Sequence, residues 1–94
     1  MVYWEGVEDA ARYIVHLGFR DYYNDYRNEL EVVIVDRTKK YHTFTNLARI
    51  SVNNHRYYCI VEAEDKNGKI ITKNEKDINV AAWDYDAFGH IGIN

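Results

Sequence analysis

Cys59 is the only cysteine in this sequence, so no internal disulfide can hold the chain and its stability must come from a hydrophobic core. Its 94 residues supply one such core and one domain, residues 1–94, but not two. A hydrophobic share of 47% and an aromatic share of 15% separate it from disordered chains. A lone thiol suits a reducing compartment. The opening Met1-Val2-Tyr3-Trp4-Glu5 lacks the basic region and apolar stretch of a secretory signal. The longest aliphatic run, residues 32–35, is far too short to span a membrane. A cytoplasmic protein with no membrane partner is therefore expected.

Hydrophobic spacing suggests how the core is assembled. Val7, Ala10, Ala11, Ile14 and Leu17 follow helical spacing. Gly6 can cap that helix, Gly18 can close it in a left-handed conformation, and Phe19 can fold back on Ile14. Residues 29–36 read as a strand whose apolar run suits a sheet covered on both faces. Residues 42–52 alternate and lead into Asn53-Asn54, a good two-residue turn. That turn would set Ile50 against Tyr57, Ala48 against Cys59 and Phe44 against Ala63. Asp65-Lys66-Asn67-Gly68 fits a type I turn closed by a left-handed Gly68, bringing Asp65 opposite Lys69 and Ala63 opposite Ile71. After Lys73, helical spacing returns through Ile78, Ala81, Ala82, Tyr85 and Phe88, with Asn74 or Asp77 as cap, Gly89 as stop, and a strand through Ile78 as the rival reading. Residues 90–94 read as a loose tail. The expected fold is α+β in the order α-β-β-β-β-α: an N-terminal helix, a four-stranded antiparallel sheet and a C-terminal helix.

This order resembles that of double-stranded RNA-binding domains, which present a lysine cluster at the start of their second helix. The matching stretch here, Asn74-Glu75-Lys76-Asp77-Ile78-Asn79, is close to neutral, so the resemblance is one of element order only.

The net charge of −3 is unevenly spread. Residues 1–36 carry three arginines against eight acids, and residues 57–94 four lysines against seven acids. Between them Arg37, Lys39, Lys40, Arg49 and Arg56 meet no acid at all. With Tyr58, this basic band could hold phosphates and stack bases.

Catalytic patterns are scarce. His16, His42, His55 and His90 are dispersed, and Cys59 has no cysteine companion, so no zinc spacing exists. Asp84, Asp86 and His90 would diverge on a helix. Cys59 falls on the strand face expected to be buried, where a thiol is inert. Glu62 and Glu64 share the opposite face, as solvated carboxylates do. No glycine-rich phosphate loop is present. No cofactor and no metal are expected.

What remains is surface chemistry. Nine tyrosines exceed what one small core absorbs, and Tyr is a favoured interface residue. Tyr22, Tyr23, Asp25 and Tyr26 form the most paratope-like stretch. The leading expectation is a non-catalytic protein-binding module, an inhibitor or antagonist occluding a site on a larger protein, such as one that handles nucleic acid. By composition alone it is similar to phage anti-defence or immunity proteins. A nucleic-acid-binding domain using Arg37, Lys39, Lys40, Arg49, Arg56 and Tyr58 is the second expectation. A homodimer or complex subunit is the third.

Overall fold

A computed structural model describes residues 2–21, 26–44, 55–78 and 89–90, and no helix occurs among them. In chain order the strands are β1 (Val2–Tyr3), β2 (Arg12–Asp21), β3 (Arg27–Asp36), β4 (Tyr41–His42), β5 (His55–Glu64), β6 (Ile70–Ile78) and β7 (Gly89–His90). The long strands form one antiparallel sheet in the order β3-β2-β5-β6, and the short ones a second sheet in the order β4-β1-β7. Among the described residues the architecture is two β-sheets, which corrects the α+β expectation of an N-terminal and a C-terminal helix flanking one sheet.

The N-terminal correction concerns β2. Tyr13, Val15 and Leu17 point into the core, while Arg12, Ile14, His16 and Arg20 lie on the other face, half-buried. A dense apolar segment satisfies periods of 3.6 and 2 together, so Val7, Ala10, Ala11, Ile14 and Leu17 also fit a helix. Aromatic and β-branched residues favour the strand, and β2 satisfies its backbone on two flanks at once, β3 and β5. Gly18 is therefore a buried mid-strand residue rather than a helix cap. The C-terminal correction concerns β6, which runs through Asn74 and Asp77, the expected capping residues, to Ile78. The rest of that expected helix, residues 79–88, lies outside the described residues. Gly89 and His90, expected as helix stop and tail, form β7, which pairs in parallel with β1.

Pairing across the sheet also departs from expectation. Tyr57 lies between Phe19 and Ile78, Cys59 between Leu17 and Lys76, and Ala63 between Tyr13 and Thr72. Both flanks of β5 are thus taken, and a strand has only two. The expected partners Ala48 and Ile50 lie outside the described residues, and Phe44 is instead buried in the core at 1% exposure. The β5–β6 turn forms as expected: Gly68 is left-handed at φ 84° and Asp65 N–H donates to Lys69 O at 2.8 Å. A register shift beside it sets Ala63 opposite Thr72 rather than Ile71.

The core lies on one face of the large sheet. Tyr13, Val15 and Leu17 of β2, Val35 of β3, and Tyr57, Cys59, Val61 and Ala63 of β5 meet Val2, Trp4, Ala10 and Phe44. Trp4 packs edge-on against Tyr13 with ring centroids 5.4 Å apart. Along β3 the other face is open, against the expectation that residues 29–36 are covered on both sides: Val35 is buried but Ile34 is 73% exposed.

Candidate functional site

Of the tyrosine-rich stretch, Tyr22, Tyr23 and Asp25 lie outside the described residues. Tyr26 closes the connection between β2 and β3, where its carbonyl accepts from Asp21 N–H at 2.8 Å, and it is 64% exposed. It therefore stands at the end of a hairpin whose two strands are ten residues each.

The sheet beneath that end is braced by Tyr58. A side chain on Gly18 would meet the Tyr58 ring carbon and hydroxyl at 2.5 Å and Asn28 O at 2.7 Å. The glycine is thus what lets Tyr58 lie across β2, and the register of β2 against β3 shifts at the same place, between Leu17 and Gly18. Arg27 stacks on the Tyr58 ring, 5.1 Å from its centroid, and its guanidinium grips both carboxylate oxygens of Glu75. Arg20 grips Asp77 in the same two-pronged way, at 3.2 and 2.6 Å. Tyr58 is 4% exposed, and its burial raises the phenol pKa against the opposing pull of Arg27. Tyr58 is thus a buttress under two ion pairs, not an open stacking platform for a base.

Further along that face, His16 is hydrogen-bonded through Nδ1 to Glu29 at 2.6 Å and through Nε2 to Glu62, and when protonated it donates to both carboxylates. Burial lowers the imidazole pKa, but the bonds and charges of the two carboxylates outweigh it and the net shift is upward. Arg12 pairs with Glu64 at 2.5 Å and reaches Asp65 O at 3.2 Å. Glu62 and Glu64, which could have been a catalytic carboxylate pair, are each tied to a cation. The face is a lattice of neutralised charges.

The basic band is divided by the fold. Arg37 and Lys40 lie at the Arg12 end of the sheet and line an open cavity of about 810 Å³. Lys66 joins them there, but so do Glu8, Asp9 and Asp65, so the lining carries both signs. Lys39 closes the turn after β3, donating its N–H to Asp36 O at 2.9 Å. Arg56 belongs to the other end, where its register partner is Arg20. Arg49 lies outside the described residues. Residues adjacent in charge along the chain are thus separated by the length of a ten-residue strand.

Cys59 is fully buried, and burial pushes its thiol up to about 12, which leaves it inert. Among the described residues, no group of three or more His, Cys, Asp or Glu side chains is arranged to hold a metal ion. Of Asp84, Asp86 and His90, expected to diverge, the two aspartates lie outside those residues. Within the same residues no helix is long and apolar enough to cross a membrane.

One feature escaped sequence reasoning: the outer edge of β3. Eight of its ten residues are exposed, including Leu30, Val32 and Ile34. Glu29 and Glu31 beside that apolar run mark contact with solvent, but nothing local shows which flank of the strand stays unpaired. Compared with known proteins, the chain matches no family model, no curated sequence and no solved structure.

Proposed function

We propose that this chain is a non-catalytic protein-binding module that inhibits or antagonises a larger protein by occluding a site on it. The observation that carries this reading is Tyr26, 64% exposed at the end of the β2–β3 hairpin. A tyrosine there offers a large contact area at low entropy cost. The Tyr58–Arg27–Glu75 brace beneath it holds the strands in advance of binding, which lowers the cost of association. Tyr22, Tyr23 and Asp25 belong to the same connection by sequence and complete the proposed contact. The buried single thiol favours a cytoplasmic setting.

The experiment is photo-crosslinking in the cells that carry the protein, with the reactive side chain at position 26 and, as control, at Lys66 at the opposite end of the sheet. Position 26 is expected to capture one discrete larger protein and Lys66 is not. Replacing Tyr22 in addition by Ala should abolish the adduct while circular dichroism stays unchanged. An adduct with nucleic acid, or equal capture from both positions, overturns the reading. So would binding to DNA or RNA tighter than about 1 µM at physiological salt, since non-specific binding alone is ~1–100 µM there.

A further inference from the structure

His16 links three strands of the large sheet. From β2 it bonds through Nδ1 to Glu29 of β3 and through Nε2 to Glu62 of β5. It donates to both carboxylates only while the imidazole is a cation, because the neutral ring keeps a single N–H. An ionised carboxylate accepts and does not donate, so losing that proton must cost one of the two its histidine partner. The two are not equivalent. The Glu62 side chain is 19% exposed and that of Glu29 53%, so water replaces a lost bond far more readily at Glu29.

Glu29 also holds the looser place in the fold. It pairs with Gly18 where β3 shifts register against β2, Leu17 pairs with Glu31, and Leu30 is left over between them. Gly18 has no side chain to brace that spot, so the bond from His16 is a side-chain tie across the shift. Glu62, by contrast, lies mid-strand between Ile14 of β2 and Lys73 of β6.

We propose that His16 is a proton-operated clamp on β3. When the ring gives its Nδ1 proton to solvent it stays bonded to Glu62 through Nε2–H, Glu29 turns out to water, and the register shift at Leu30 loosens. Nothing else around the ring titrates in the same range. Val32 and Ile60, its register partners on β3 and β5, carry no charge. Along its own face Arg12 is held by Glu64, Arg20 by Asp77, and Arg27 by Glu75. These groups and Lys73 keep their charge through neutral pH, where histidine changes its own. Burial opposes the imidazolium, but the bonds and charges of Glu29 and Glu62 outweigh it. The clamp is therefore closed below pH 6.5 and opens as pH rises through the higher folded value. It stands independently of what Tyr26 contacts.

The test is NMR of the isotope-labelled whole chain from acid to mildly alkaline pH, with the His16 ring signals identified by their loss in His16→Gln. Nδ1 is expected to lose its proton while Nε2 keeps it, and the Glu29 carboxylate signal should move at the same midpoint. Over that range the hydrogen-exchange protection of amides 30–32 should fall roughly fivefold, the weight of one such bond, with β5 unmoved. Glu29→Gln should make that protection indifferent to pH. Glu62→Gln should reverse the choice, because its amide donates to Nε2 and leaves the remaining proton on Nδ1, next to Glu29. A neutral wild-type ring protonated on Nδ1, protection at 30–32 that ignores the titration, or an undiminished fall in Glu29→Gln overturns the proposal.

Discussion

The two edges of the large sheet are built from different residues. On the core side, β6 presents Thr72, Asn74 and Lys76, the last opposite the fully buried Cys59. On the open side it presents Lys73, Glu75 and Asp77. From Thr72 to Asp77 it is polar on both faces, with lysines and an inward charge of the kind that discourages strand addition. Strand β3 carries Val33 and Val35 on the core side and Val32 and Ile34 on the open side. The two edges are nonetheless tied together, since Arg27 of β3 and Arg20 of β2 reach Glu75 and Asp77 of β6. Salt bridges at these exposures contribute little individually. The lesson is that one edge is guarded by composition and the other is held in place by the brace over Tyr58.

The largest expected effect comes from breaking that brace. Gly18→Val would drive a side chain into Tyr58 and Asn28 O, costing about 3 kcal/mol as overpacking. Chemical denaturation should show the loss, and an unchanged midpoint would mean that Tyr58 does not lie across β2. Next comes a contrast within β3. Val35→Ala, at 5% exposure, should cost about 2 kcal/mol, whereas Ile34→Ala should change stability by less than about 0.5 kcal/mol. Similar costs would mean that the open face is covered.

A smaller effect is pH-dependent. The folded pKa of His16 is raised above its ordinary 6.5. Its contribution is therefore fully present below pH 6.5 and is lost as pH rises through the folded value. Because Glu29 is half exposed and the other two side chains are partly so, solvent screening should hold the loss to about 1 kcal/mol or less. Thermal melts from acid to mildly alkaline pH should show it, and His16→Gln should flatten that part of the profile. The smallest effect on stability, though not on behaviour, belongs to Lys76→Val. It should leave the melting temperature nearly unchanged while increasing self-association at the β6 edge, measured by light scattering.

How much of this was legible in the sequence depends on how far apart the interacting residues lie. The Asp65–Gly68 turn was readable because its requirement is local: Asp65 Oδ1 accepts from Asn67 N–H and Lys69 N–H at 2.9 Å, and Gly68 takes the left-handed φ. The alternation of Tyr57, Cys59, Val61 and Ala63 against Glu62 and Glu64 was readable for the same reason. The division of the basic band was not, because Arg37 and Arg56 are placed by strands that separate them rather than by their neighbours in the chain.

Residue order alone was enough to show that one core must suffice without disulfides, that residues 29–36 form a strand, and that Cys59 is interior. Tertiary structure alone decided that residues 12–21 are a strand rather than the end of a helix. A helix satisfies its own amides, whereas β2 satisfies them on β3 and β5, up to 52 residues away in the Arg12–Glu64 pair. Strand order was decided in the same way: nothing local in residues 27–36 distinguishes an edge from a centre. That choice rests on which distant strands take both flanks of β2 and β5, and it is what leaves Ile34 facing solvent.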